Sequence, residues 1–200
     1  MPRLRQLPRE EVKAPSILAQ YDRLFGPTRD PITEPGTKTG SPGNWWTVLA
    51  AVPGVVDHVV QSVEFYTHPD RKLRPALREL GQMRAGWLNG SKFVYSQHCK
   101  AARACGVSEE KIAAISSWQV AECFDEQERT LLAYTDYLVD QRGRVPDAVF
   151  AKLRRLFSDE EIIEFTYVTC LYDLHSVLSR ALRLEFDDFD DPVVEVPVPR

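Results

Sequence analysis

"NGSKFVYSQHCKAARACG", residues 89–106, sets one histidine among small and apolar side chains and is bracketed by residues that turn the chain. Asn89-Gly90 stops what precedes it, Ser91 starts a new helix as its N-cap, and Gly106 ends it. At about 100° per residue, Ser91, Val94, His98, Ala101, Ala102 and Cys105 fall on one side of that helix. His98 stands at the middle of this stripe, and the alanines around it let a neighbouring helix or a ligand come close. Cys99, although adjacent in sequence, is rotated away from it.

Helical signals continue in both directions. Upstream, Leu73, Leu77, Leu80, Arg84 and Trp87 recur at three- and four-residue steps, as on one helix face, and Glu79 flanks that face. Downstream, Ser108 precedes "EEKIAAISSW", and Asp125 with Glu128 has capping-box spacing ahead of "RTLLAYTDYLVDQ". "VPDAVFAKLRRLF" reads as a shorter helix. Ser158 and Glu161 form a second capping box before "IIEFTYVTCLYDLHSVLSRALRL", which reads as a deeply packed helix.

Toward the N-terminus, "NWWTVLAAVPGVVDHVVQSVEFYT" suggests two helical pieces around Pro53-Gly54, and "APSILAQYDRLFG" one short helix with Ser16 as N-cap and Gly26 as terminator. Residues 27–44 hold four prolines and three glycines, which resist both periodicities and predict an irregular segment that wraps the domain. The C-terminal "EFDDFDDPVVEVPVPR" reads as an extended acidic tail. The expected architecture is all-α, with an N-terminal helix and Pro/Gly-rich arm over 1–44, a helical bundle over 45–186 and a Pro-rich tail over 187–200.

Two hundred residues at 44% hydrophobic content suffice for a proper core. A net charge of -4, from 25 basic and 29 acidic residues spread along the chain, argues against a phosphate-binding surface and so against nucleic acid as a partner. The basic N-terminus has no apolar signal-peptide core and no stretch is long and apolar enough for a membrane span, so a soluble, cytoplasmic protein is expected. Cys99, Cys105, Cys123 and Cys170 lack CxxC or zinc spacing and read as small buried hydrophobes. No HExxH motif or carboxylate cluster points to a metal.

A lone histidine among apolar residues reads first as a hydrogen-bonded core residue. Glu79 alters that reading, because a carboxylate beside the ring would orient it, raise its proton affinity and make a pair able to move protons near neutral pH. Arg84, on the apolar face of the Glu79 helix, has two readings: a salt bridge to a buried carboxylate, Glu79 among them, or an anchor for an anionic substrate. Trp45, Trp46, Trp87, Phe93 and Tyr95 read as core and interface filling, with Tyr95 also a candidate pocket hydroxyl. His58, on a helix expected to pack against this region, is a further pocket candidate. His68 and His175 read as structural.

Residues 78–115, "RELGQMRAGWLNGSKFVYSQHCKAARACGVSEEKIAAI", resemble the core motif of the carboxymuconolactone decarboxylase and alkylhydroperoxidase D family, in the Glu of "REL", the "LNG" turn, the His of "QH" and the helix after Ser108. The resemblance extends to residue 186 and leaves 1–44 unexplained. It implies an AhpD-like helical fold, assembly into trimers or hexamers, no cofactor, and a small-molecule pocket near subunit contacts. In the peroxidase branch two cysteines three residues apart precede the histidine and cycle between dithiol and disulfide. Ser91 and Val94 occupy those positions here, and neither side chain supports that redox cycle. Glu79 and His98 match the acid–base half of the motif, so the resemblance implies a decarboxylase, lyase or isomerase acting on a small unsaturated carbonyl, lactone or carboxylate compound. Ser91, Val94, Tyr95, Arg84 and His58 are then the candidate substrate-binding residues. A non-catalytic binding or assembly protein on the same fold is the alternative.

Overall fold

In the computed structural model, which describes residues 1–188 and 191–198, helix boundaries fall where prolines, glycines and capping side chains put them. Nine α-helices are described: α1 (Pro15–Phe25), α2 (Asn44–Leu49), α3 (Pro53–Thr67), α4 (Pro75–Leu88), α5 (Lys92–Ala104), α6 (Glu109–Ala114), α7 (Glu126–Val139), α8 (Asp147–Leu156) and α9 (Asp159–Leu182). No strand occurs among the described residues, in keeping with the all-α expectation. Phe189, Asp190, Pro199 and Arg200, part of the tail read as extended, lie outside them.

Local chemistry accounts for the starts and stops. Ser91, Ser108 and Asp125 each accept a hydrogen bond from the backbone three residues on. Both expected capping boxes form: Glu128 reaches back to the Asp125 amide, and Glu161 to that of Ser158. Pro15, Pro53 and Pro75 open their helices, where the missing N–H costs nothing. This displaces the expected Ser16 cap, since α1 begins two residues earlier, with Ala14 at the N-cap. Leu73 is likewise buried but precedes α4.

The chain forms two compact units. One comprises Met1–His68 with the described residues of 179–191 and 196–200, and the other Pro69–Leu178 with Pro192–Glu195. The division by packing thus falls after residue 68, whereas the change in composition lies near 44. In the first unit α3 packs against both α1 and α2. The Pro/Gly-rich arm is held by Arg9, whose guanidinium donates to the carbonyls of Arg29 and Gly26 and to Asp22, while Asp30 accepts from the Arg9 amide. Gly43, at the start of α2, has no side chain to cap it. The Glu185 carboxylate does so instead, accepting from the Gly43 and Trp45 amides at 2.9 and 2.7 Å.

The second unit is built around α4, which packs on α5 and α7. Its core joins Leu77, Leu80 and Met83 of α4 to Cys99 and Ala102 of α5, Leu131 and Leu132 of α7, Leu153 of α8 and Phe165 of α9. Two glycines set the distances. A Cβ on Gly86 would stand 2.7 Å from the Tyr95 backbone nitrogen, and one on Gly81 would stand 2.5 Å from the Phe165 ring. Only hydrogen at these positions lets α5 and α9 approach α4 so closely.

Two expectations need correction. Of the cysteines, Cys99 is buried, Cys105 and Cys123 are half-buried and Cys170 is exposed. Nor is α9 packed on all sides, because Cys170 belongs to an outward face that remains accessible. Among the described residues no helix is long and apolar enough to cross a membrane.

Candidate active site

Glu79 sits in the second turn of α4 and His98 in the middle of α5, and the close α4–α5 contact brings them together. The ring Nδ1 lies 2.7 Å from Glu79 Oε2, with Glu79 2% and His98 5% exposed. Arg78 curls back on its neighbour and donates to Oε1 through Nε and Nη2 at 3.1 and 2.8 Å. Gln82, one turn along, donates its amide to both oxygens at 3.2 and 3.1 Å when its nitrogen faces the carboxylate.

These donors decide the protonation pattern. Burial pushes the Glu79 carboxyl up, but the His98 hydrogen bond and charge, with Arg78, outweigh it and hold the group below its usual value. An ionised Glu79 only accepts, so His98 Nδ1 carries the hydrogen between them, and Nε2 is the nitrogen left to exchange a proton with a reactant. Glu79 thereby orients the ring and fixes its tautomer.

The ring is confined from α9. Tyr172 meets it edge to face at 4.1 Å between centroids, and His175 lies 5.1 Å from Tyr172 in a similar arrangement. Asn89, in the turn between α4 and α5, ties this part of α9 in place by donating to Asp173 at 2.9 Å. Tyr172, Arg78 and Gln82 are the residues that sequence reasoning missed. Gln82 had a usable signal, its i+3 spacing from Glu79. Tyr172 had none, being far along the chain.

The other candidates divide. Ser91 is buried, and its hydroxyl accepts the Val94 amide at 3.1 Å as the cap of α5. Val94 is buried beside Gly86. Tyr95 belongs to the core, its hydroxyl against the Cys99 thiol. Burial, chiefly, pushes that thiol up to about 12. Arg84 is 3% exposed and makes a bidentate pair with Asp136, at 2.7 and 3.2 Å, while donating to the Ile115 and Ser116 carbonyls. Its salt bridge is therefore to Asp136 rather than Glu79, and the anchor reading fails because these partners and the Trp87 face occupy the guanidinium. His58 is exposed on α3, in the first unit, whereas His98 belongs to the second. Among the described residues no group of three His, Cys, Asp or Glu side chains is placed to hold a metal.

Residues 56–137 match the carboxymuconolactone decarboxylase family profile. The uncharacterized protein YdfG of Bacillus subtilis is 22% identical over 111 residues, covering 55% of this chain and 75% of YdfG. A crystal structure of a protein of unknown function from Agrobacterium tumefaciens, linked by its description to AhpD, superposes with a TM-score of 0.63 at 28% identity, over 71% of this chain and 96% of that one. The debrominase Bmp8, solved with 2,3,4-tribromopyrrole, shares the fold at a TM-score of 0.51 and 19% identity, over 68% of each chain. Residues 56–137, which carry both Glu79 and His98, are thus similar to the carboxymuconolactone decarboxylase family, and the chain has an AhpD-like helical fold.

Proposed function

We propose that the protein is an acid–base enzyme needing no cofactor, acting on a small unsaturated carbonyl, lactone or carboxylate compound as a decarboxylase, another lyase or an isomerase. The observation that carries this reading is the buried Glu79–His98 pair, with the carboxylate held ionised by Arg78, Gln82 and the ring itself. His98 Nε2 takes a proton from the substrate, or returns one to a developing enolate, while Glu79 balances the imidazolium. Ser91 and Val94 at the positions of the redox cysteines, and the raised Cys99 thiol, speak against thiol peroxidase chemistry. A cytoplasmic location and assembly as a trimer or hexamer belong to the same reading, on the strength of the family resemblance.

The test is His98→Gln, assayed on carboxymuconolactone and a panel of related unsaturated lactone acids by ultraviolet absorbance. Turnover per folded molecule is expected to fall about 10²- to 10⁴-fold, with melting temperature and assembly little changed. Glu79→Gln is expected to lose somewhat less, and the double variant little more than His98→Gln, because the pair works as one unit. The slight exposure of His98 under Tyr172 favours a second reading, a binding protein in which the histidine is a satisfied core residue. Unchanged turnover per folded molecule, with a lowered melting temperature, would establish that alternative.

A further inference from the structure

A groove of about 560 Å³ lies between α1 and α3 in the first unit, a volume within the usual range for a small-molecule site. Gln20 and Val56, 6% and 2% exposed, are its deepest residues, and half-buried Val60 follows one turn beyond Val56. The Gln20 amide has a fixed sense: Oε1 accepts from Arg23 Nε at 3.0 Å, so Nε2 is the donor, and it finds no acceptor among the described residues. A buried N–H without a partner is costly, and a leucine of similar size would avoid that cost. The charges along the groove are equally unmatched. Among the described residues Arg23 bonds through Nε alone, and neither Asp57 nor Glu64, both on the α3 wall, has an ion-pair partner.

We propose that this groove binds a small zwitterion with an apolar body, of the size of an apolar dipeptide. The ligand carboxylate accepts from Gln20 Nε2 and from the Arg23 guanidinium, its ammonium group meets the acidic α3 wall, and its apolar part covers Val56 and Val60. The same side chains exclude the alternatives. One positive and two negative side chains line the groove, which disfavours a phosphate or a dicarboxylate. A plain amine leaves the Gln20 donor unmet. Asp57 and Glu64 stand two helical turns apart, about 10 Å, too far to share a metal ion. An extended dipeptide spans at most about 7 Å and fits along that wall. The inference is independent of the acid–base chemistry, so its failure would leave the His98 test untouched.

Isothermal titration calorimetry of the full chain with L-leucyl-L-leucine tests it, with hexanoate and hexylamine, each carrying one of the two charges, as controls. The dipeptide is expected to bind with a Kd of about 1 mM or tighter, and both controls at least about tenfold more weakly. Gln20→Leu is expected to weaken dipeptide binding about tenfold or more while keeping or raising the melting temperature, because the unmet donor is gone. Arg23→Gln, at an exposed position, provides the binding readout should Gln20→Leu fail to fold. An absence of binding at about 10 mM dipeptide, which would assign the Gln20 donor to a trapped water, would overturn the proposal. Equal affinity for the dipeptide and for either control, or a dipeptide affinity unchanged in both variants, would overturn it as well.

Discussion

Replacing Arg84 by methionine removes a guanidinium that joins three parts of the second unit. It makes two bonds to Asp136 of α7, one each to the Ile115 and Ser116 carbonyls, and stacks on Trp87 at 4.7 Å. Methionine restores much of the volume but none of the donors. Breaking a buried ion pair from one side costs about 3–5 kcal/mol, since the remaining charge stays desolvated. Asp136 keeps two donors, Trp118 Nε1 at 3.1 Å and Gln119 Nε2 at 3.2 Å, and its side chain is partly open to solvent, so the lower end applies. At roughly 2–4 °C per kcal/mol for a chain of this size, the melting temperature should fall by about 6–12 °C. The same variant separates structure from binding: assayed well below its melting point, turnover per folded molecule and KM should stay near native. A melting temperature within about 2 °C of native would refute the energetic reasoning, and a large rise in KM at native stability would restore Arg84 as a substrate anchor.

Gly86→Ala forces a Cβ against the Tyr95 backbone and should cost about 1–3 kcal/mol, whereas Gly54→Ala, with open space around it in α3, should gain up to about 1 kcal/mol; thermal melts of the two variants should move in opposite directions. The Glu79 carboxyl is held below its ordinary value, so its contribution to stability is complete above the unfolded value near ~4.3 and is lost as pH falls through the lower folded one. The melting-temperature gap between the native protein and Glu79→Gln should accordingly be constant from neutral pH to about 5 and close below it, and a gap that widens in acid would contradict the assignment. Thiol-dependent reduction of cumene hydroperoxide should be absent, and Cys99, buried with its thiol pushed up to about 12, should resist maleimide in the native state; robust turnover abolished by replacing one cysteine would reverse that conclusion.

What was legible in the sequence was whatever is decided locally. The caps at Ser91, Ser108, Asp125 and Ser158 each involve residues three apart, so the helix starts follow from short patterns. Glu79 and His98 were readable because they lie on consecutive helices joined by a tight turn. Arg84 was only half readable: its need for a carboxylate was plain, but Asp136 lies 52 residues away and nothing local distinguishes it from the other acids. Tyr172 was invisible for the same reason, since the link that delivers it runs through Asn89 and Asp173, 84 residues apart. The exposed outer face of α9 escaped notice because a largely apolar run looks the same in sequence whether its second face is covered or open.

The Glu185 cap on α2 bears on the order in which the chain becomes ordered as it leaves the ribosome. A six-residue helix is too short to persist unaided, and the carboxylate that closes its first turn is translated some 140 residues after Gly43. Residues 69–178, nearly the whole of the second unit, emerge as one continuous segment able to collapse beforehand. The N-terminal part, although synthesised first, therefore becomes complete last. A premature stop before codon 185 would leave Trp45 and its neighbours exposed as an adhesive, protease-sensitive leader on an otherwise folded body.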